Sequence, residues 1–102
     1  MNTIISDDLE LIKKYLQKDV IILDVRTDAE YNQGHIKDSL HIVLDELEYE
    51  IDTLQELNKS IITCCRSGAR SEAAKDLLLA YDIDAINGGP WQNVNEFIKE
   101  II

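Results

Sequence analysis

Basic residues are scarce in this chain of 102 residues. Lysine and arginine together number 10, against 20 aspartates and glutamates, so the formal net charge is −10. Binding to nucleic acid needs a basic face that neutralises phosphates, and anionic membrane surfaces attract the same kind of face. The composition therefore argues against both partners.

The chain also lacks a long hydrophobic run. No apolar stretch is long enough to cross a bilayer, and Asp7 and Asp8 lie where a signal peptide would need its apolar core. We therefore expect a cytoplasmic protein.

Cysteine is rare as well, and its 2 copies are adjacent, at Cys64 and Cys65. Neighbouring cysteines close almost no loop, so a structural disulfide would add little, and two free thiols fit a reducing compartment. His35 and His41 are far from them in sequence, which does not match the ligand spacing of a metal site. No metal or organic cofactor is implied.

The remaining sequence alternates apolar strand-like runs with amphipathic segments, without a linker or a repeat, and its length suits one domain over residues 1–102. We expect a first helix capped by Ser6, a short helix capped by Thr27 and closed by Gly34, and a turn at residues 88–90. Predicted strands cover Val20–Leu23, Ser39–Val43, Ser60–Cys64 and Asp84–Ile86, and predicted longer helices cover Leu44–Leu57, Glu72–Tyr81 and a last segment from Trp91.

Two polar segments follow predicted strands. Alternating strands and helices predict a parallel sheet covered on both faces, and ligands bind such sheets beyond the carboxyl ends of the strands. The first strand ends in Asp24-Val25-Arg26, and the third ends in the cysteines. The pattern therefore predicts that both segments lie on one rim.

The segment after the cysteines has the features of a reactive-thiol loop. It carries Arg66, Gly68 and Arg70, and Ser71 is predicted to open a helix. Guanidinium groups and a helix N-terminus favour a thiolate, which is the nucleophilic form of cysteine. Inward-pointing amides of such a loop also form a nest for an anion.

Taken in order, these motifs resemble rhodanese-like sulfurtransferases over essentially the whole chain. The matching residues are Asp24-Val25-Arg26, Glu30-Tyr31, Gly34-His35-Ile36, Cys65 to Ser71 and Gly88-Gly89. Two short segments depart from the family pattern. Lys37-Asp38 stand where Gly-Ala is frequent, and Asn93 stands where the family has a tryptophan, with Trp91 two positions earlier.

The resemblance implies an α/β fold with a parallel sheet of about five strands and helices on both faces. It also implies that Cys65 takes a sulfane sulfur from a small anionic donor, such as thiosulfate or a persulfide. The resulting persulfide would pass that sulfur to cyanide, or to a protein or low-molecular-weight thiol. The substrate-binding loop would comprise Arg66, Ser67, Gly68, Ala69, Arg70 and Ser71.

Four further residues are expected to support this site. Asp24 and Arg26 are expected to hold the base of the loop through an ion pair or hydrogen bonds, and Glu30 is a natural partner of Arg26 at helical spacing. His35 is interpreted as a packing histidine rather than a proton shuttle. For Arg70, contact with substrate and pairing with a carboxylate such as Glu72 or Asp24 both remain open.

Cys64 leaves room for other functions. Counted from Cys64, five residues precede Arg70, which is the spacing of cysteine-dependent phosphatases, although Thr63 stands where those enzymes usually have histidine. Cys64 is otherwise a packed apolar residue or a resolving thiol for Cys65. A third alternative is a non-catalytic sulfur carrier or redox sensor. Binding of a basic partner by the acidic segment 45–52 would support it, although the simpler interpretation of this segment is a solvated helix face.

Overall fold

The computed structural model describes residues 7–101 and shows a parallel sheet of four strands. The strands are Val20–Asp24 (β1), Leu40–His41 (β2), Ser60–Cys65 (β3) and Ala85–Pro90 (β4). They pair in the order β2-β1-β3-β4. The helices are Leu9–Leu16 (α1), Asp28–Asn32 (α2), the 3₁₀ helix Leu44–Glu50, Ile51–Leu57 (α3), Ala69–Ala80 (α4) and Trp91–Ile101 (α5).

Helices cover both faces of this sheet, because successive side chains of a strand point to opposite sides. Ile62 lies in one core with Ile12 of α1 and Val94 of α5. Its neighbour Ile61 lies in the other core, together with Leu54 of α3 and with buried residues of α4. The predicted α/β architecture is confirmed, but residues 7–101 contain four strands rather than about five, since only four strand-like runs occur there.

Strand β1 is less buried than its apolar sequence predicted. Its neighbour β2 pairs with it only at Leu23 and Asp24. These two residues are buried, whereas Val20, Ile21 and Ile22 are half-buried. A continuous apolar run therefore does not by itself show that a strand is covered along its whole length.

The predicted turn at residues 88–90 is wrong, because this segment continues β4. Pairing with β3 extends to Cys65 opposite Pro90, with a register shift after Thr63. A Cβ on Gly88 would lie 2.7 Å from Val94 Cγ2 and 2.8 Å from Ile62 Cγ2. Gly88 is therefore a site of close packing within the strand.

Helix α4 begins earlier than predicted. It starts at Ala69, with Gly68 as its N-cap, rather than at Ser71 or Glu72. Ser71, Ala74 and Leu78 are its buried residues. On the adjoining side of the helix, Ala73 and Ala80 are exposed and Leu77 is half-buried.

The ends of the other helices show smaller differences. Ser6 lies outside the described residues, and Asp8 caps α1 by accepting a hydrogen bond from the Glu10 amide. Thr27 caps α2 in a reciprocal capping box with Glu30, as expected from the sequence. The predicted helix over Leu44–Leu57 divides into the 3₁₀ helix and α3.

Candidate active site

The carboxyl ends of the parallel strands bring Asp24 and Cys65 to one rim of the sheet. Asp24 pairs with Cys64 across β1 and β3. The amide of Val25 donates to the carbonyl oxygen of Cys64 at 3.1 Å. The Asp-Val-Arg segment and the cysteine loop (residues 65–71) therefore lie close together, as predicted.

The two adjacent cysteines occupy opposite faces of the sheet. Cys64 packs with Ile12, Ile86 and Val94, and Cys65 belongs to the core on the α3 and α4 side. Both side chains are buried, with 0 % exposure. This separation follows from strand geometry and is incompatible with Cys64 acting as a resolving thiol without rearrangement of β3.

Hydrogen-bond donors surround the sulfur of Cys65. Its Sγ accepts from the Gly68 amide at 3.0 Å and from the Ser71 amide at 3.4 Å. The Ser71 hydroxyl lies 3.3 Å from the same atom. Gly68 has φ of +108°, a conformation that favours glycine and that turns the chain into α4. The sulfur therefore lies at the N-terminus of a 12-residue helix, where an anion is favoured.

The pKa values of the two thiols are shifted in opposite directions. Burial raises the pKa of Cys65, but the hydroxyl and amide of Ser71 and the amides of Gly68 and Ser67 outweigh it, so the net shift is downward. Burial, followed by the nearby Asp24 carboxylate, raises the pKa of Cys64 well above its usual range. Of the two thiols, Cys65 is the one whose surroundings favour the thiolate.

The two arginines of the loop differ in their partners. Arg70 forms two hydrogen bonds with the Glu30 carboxylate, at 2.8 and 3.0 Å. Arg70 therefore pairs with a carboxylate, although with Glu30 rather than with Glu72 or Asp24. Arg66 is exposed and forms no ion pair with any other residue in the described range 7–101.

Arg70 also stabilises the ionised form of Glu30. The hydrogen bond from Arg70, followed by one from the Thr27 amide, lowers the pKa of Glu30 to about 2. The expected pairing of Glu30 with Arg26 is wrong for the side chains, since Arg26 donates to the Glu30 carbonyl oxygen at 3.3 Å. Glu30 therefore links α2 to the cysteine loop through Arg70.

Asp24 and Arg26 form a buried ion pair, with Arg26 Nη2 at 2.8 Å from Asp24 Oδ2. The same nitrogen donates to the Gly34 carbonyl at 2.7 Å. The guanidinium carbon lies 4.9 Å from the centre of the Trp91 ring. Arg26 thus connects the end of β1 with the end of α2 and the start of α5, at the border of the site.

His35 is exposed but ordered by a stack of rings. Its ring lies 3.7 Å from that of Tyr31, whose other side faces His41 at 4.1 Å. His35 Nδ1 is 2.8 Å from the Tyr31 carbonyl oxygen. These contacts give His35 a packing role, and none of them involves the thiol of Cys65.

A cavity of about 410 Å³ opens next to the loop. It is lined by Arg66 of the loop, Trp91 and Gln92 of α5, and Gln33 and Gly34 after α2, together with Arg26 and Glu30. Ser67 and Ala69 of the loop are exposed. Trp91 both begins the apolar stripe of α5 and lines this cavity.

Sequence inspection missed Asn87, which is fully buried in β4. Its side chain accepts from the Ser71 hydroxyl at 2.6 Å and donates to the Gly68 carbonyl at 3.0 Å. The available signal was a carboxamide inside an apolar strand, since a buried polar group needs partners. Within residues 7–101, no three His, Cys, Asp or Glu side chains are placed to hold a metal ion, and no helix is long and apolar enough to cross a membrane.

Several known proteins are similar to this chain in sequence. The rhodanese-like domain model matches residues 8–94. A Bacillus subtilis protein, YrkF, whose name describes a sulfur carrier, is 43 % identical over 68 residues, covering 65 % of this chain and 36 % of its own length. An Allochromatium vinosum protein named sulfurtransferase is 35 % identical over 57 residues, covering 56 % of this chain and 52 % of its own length.

A solved structure matches a larger share of the chain. The rhodanese-like domain protein of Staphylococcus aureus is 32 % identical, with a TM-score of 0.70, covering 83 % of this chain and 84 % of its own. By contrast, the chain spans only about a third to a half of the two curated relatives.

Proposed function

The chain belongs to the rhodanese-like family, and from this we propose that it is a sulfurtransferase that carries a sulfane sulfur on Cys65. The observation that carries the proposal is the environment of Cys65 Sγ, which accepts from the Gly68 and Ser71 amides at the start of α4. The names of two relatives, a sulfur carrier and a sulfurtransferase, support transfer of sulfur.

The first step is attack of the Cys65 thiolate on the outer sulfur of a donor. With thiosulfate, a bond forms between the two sulfurs, the S–S bond of thiosulfate breaks, and its electron pair leaves with sulfite. The products are a Cys65 persulfide anion and sulfite, so charge and atoms balance. Fixed amides around the outer sulfur would share its negative charge without reorganisation.

The second step returns the enzyme to its thiolate form. Cyanide or a thiolate attacks the outer sulfur, the persulfide bond breaks, and its electrons return to Cys65 Sγ. No proton needs to be exchanged at that sulfur when both partners are anions. The absence of a base next to Cys65 Sγ among the described residues is consistent with this cycle.

Arg66 is the residue proposed to attract the anionic donor electrostatically. Asp24 and Glu30 neutralise Arg26 and Arg70, whereas Arg66 is exposed at the cavity without an ion-pair partner in residues 7–101. The Debye length is about 8 Å at physiological salt. A donor at the cavity therefore experiences Arg66 more strongly than the acidic surface elsewhere.

A phosphatase using Cys64 fits the geometry poorly. Cys64 lies on the opposite face from Arg70 and α4, and its pKa is raised by burial and by Asp24. Cys65 itself is fully covered, so a donor with a terminal sulfur suits it better than a tetrahedral phosphoryl group. A sulfur-carrier role remains the second candidate, because the name of one relative describes a carrier.

Mass spectrometry after thiosulfate treatment tests the proposal. We expect a gain of one sulfur atom on Cys65, reversed by a reductant, and thiocyanate formation when cyanide is added. Cys65→Ser should abolish both signals, and the matched variant Cys64→Ser should keep most of them. Arg66→Gln should slow loading by thiosulfate and reduce its dependence on salt.

Loading without catalytic turnover would favour the carrier over the enzyme. If the folded protein gains no sulfur under saturating donor, the proposal is wrong. Hydrolysis of an aryl phosphate that depends on Cys64 would instead support the phosphatase.

A further inference from the structure

The carboxamide of Asn87 forms hydrogen bonds with two residues of the cysteine loop, Gly68 and Ser71. Its Nδ2 donates to the Gly68 carbonyl at 3.0 Å and to Glu72 Oε1 at 3.0 Å. Its Oδ1 accepts from the Ser71 hydroxyl at 2.6 Å and from the Gly89 amide at 2.9 Å. With the amide reversed, Nδ2 would face the Gly89 N–H, so the orientation is fixed by its partners.

The two loop residues that Asn87 contacts are the ones that donate to the sulfur. Gly68 and Ser71 supply the amides at 3.0 and 3.4 Å from Cys65 Sγ, and the Ser71 hydroxyl lies 3.3 Å away. Asn87 is itself held by β4, where it is paired with Thr63 of β3. The buried side chain of Asn87 therefore ties both donor residues to the sheet.

Backbone contacts restrict the position of Asn87 further. Its amide donates to Asp7 Oδ2 at 2.6 Å, and its carbonyl accepts from the Asp7 amide at 2.8 Å. The neighbouring Thr63 hydroxyl donates to the Ser71 carbonyl at 2.8 Å. The first turn of α4 is thus held by two polar side chains of the sheet.

We propose that Asn87 is a positioning residue that clamps Gly68 and Ser71 in the orientation in which they donate to Cys65. Donors that are fixed before the thiolate forms stabilise it more than donors that must reorganise. The Ser71 hydroxyl gives its one hydrogen to Asn87 Oδ1, so the donors that the clamp holds toward the sulfur are the Gly68 and Ser71 amides. Loss of the carboxamide should release both amides from these positions. Asn87 touches neither the sulfur nor, in this proposal, the substrate.

The pH dependence of Cys65 alkylation by iodoacetamide tests the clamp. All variants carry Cys64→Ala, so that Cys65 is the only thiol. We expect Asn87→Ala to move the midpoint upward by about one pH unit, which is a tenfold loss of thiolate below the midpoint. Glu72 contacts Asn87, but Lys75, followed by Asn87, lowers its pKa, so it stays ionised across this range.

Three further variants separate positioning from general destabilisation. Ser71→Ala should also raise the midpoint, and Asn87→Ala with Ser71→Ala should raise it by less than the sum, because both changes act on one network. Ile12→Val opens a small gap in the opposite core, and its midpoint should remain unchanged. An unchanged midpoint in folded Asn87→Ala, or full additivity in the double variant, would overturn the clamp.

A measurement on the unaltered side chain covers the case in which Asn87→Ala does not fold. In the otherwise wild-type protein, the Asn87 side-chain amide resonance should shift with the same midpoint as Cys65 alkylation. Cys65→Ser should remove this step. A resonance that stays constant through the Cys65 midpoint would refute the coupling.

The clamp contributes to sulfur transfer only if the function proposed above holds, but both tests report on the thiol alone. A shifted midpoint without persulfide formation would refute the proposed function and retain the clamp. Persulfide formation with an unshifted midpoint would retain the proposed function and refute the clamp.

Discussion

Cys64 and Cys65 are neighbours in β3, yet their surroundings have little in common. Cys64 lies among the apolar side chains of α1 and α5, where no hydrogen bond to its sulfur is found in residues 7–101. Cys65 faces the other side and receives the amides of Gly68 and Ser71. Identical thiols thus obtain opposite pKa shifts from strand alternation and from the start of one helix.

This contrast teaches that burial alone does not make a cysteine inert. Both thiols have 0 % exposure, and burial raises the pKa of each. The donors that accompany burial decide the outcome, because a buried charge is tolerated only where it is hydrogen-bonded. The next experiments test how independent these two sides of the sheet are.

The largest expected difference is in alkylation rate. At neutral pH, Cys65 should react at least about a hundredfold faster than Cys64, since each pKa unit changes the thiolate fraction about tenfold. Peptide mapping after limited treatment with iodoacetamide gives both rates. The control is the unfolded chain, in which the two cysteines should react similarly; preferential labelling of Cys64 in the folded protein would reverse the assignment.

A pair of glycine variants should separate stability from thiol acidity. Gly88→Ala places a Cβ 2.7 Å from Val94 Cγ2 and 2.8 Å from Ile62 Cγ2, on the Cys64 side. We expect a loss of about 2 kcal/mol in the free energy of unfolding, as for other overpacked cores. Urea denaturation measures the loss. Because Asn87 and Gly89 flank the substituted residue, the Cys65 alkylation midpoint should rise slightly, and by less than in Gly68→Ala.

Gly68→Ala should affect the Cys65 side instead. At φ of +108° an alanine is strained, at a cost on the order of 1–3 kcal/mol. Relief of the strain would move the Gly68 amide away from the sulfur, so this variant should also raise the alkylation midpoint. If the two glycine variants raised the midpoint equally, the two faces of the sheet would not be independent.

The smallest expected effect concerns Glu30, at the edge of the site. Its pKa is lowered from 4.5 to about 2, first by Arg70 and then by the Thr27 amide. The ionised carboxylate therefore stabilises the fold above pH 4.5, and this contribution is lost as the pH falls toward 2. Because the pair is partly exposed, we expect Glu30→Gln to cost only about 1 kcal/mol at neutral pH.

Denaturation of Glu30→Gln at several pH values checks that sign. The difference from the wild type should be largest at neutral pH and should shrink between pH 4.5 and 2. Glu10→Gln, an exposed glutamate in the first turn of α1, is the matched control. A difference that grows on acidification would contradict the ion pair.

Much of the fold was predictable because its signals are local. The apolar runs gave four strands, and the capping residue Thr27 placed α2 correctly. The errors occurred where distant residues decide. Residues 88–90 look like a turn, but pairing with β3 keeps them extended. Ser71 was predicted to open the helix, but it lies within α4 and is buried beside Asn87 and Cys65.

The candidate site shows the same division. The cysteine loop and the Asp24–Arg26 pair were visible as motifs, whereas the partner of Arg70 was not. Glu30 is 40 positions away from Arg70, and no local pattern distinguishes it from Glu72. Asn87 was missed because its role depends on the register between β3 and β4.

The sequence by itself determined the alternation of strands and helices and the presence of a cysteine loop with two arginines, because periodicity and short motifs act between near neighbours. Only the tertiary structure decided which thiol meets the start of α4, which arginine is neutralised and which side chain holds the loop. Those outcomes depend on sheet pairing and helix placement, which bring together atoms that the chain keeps far apart.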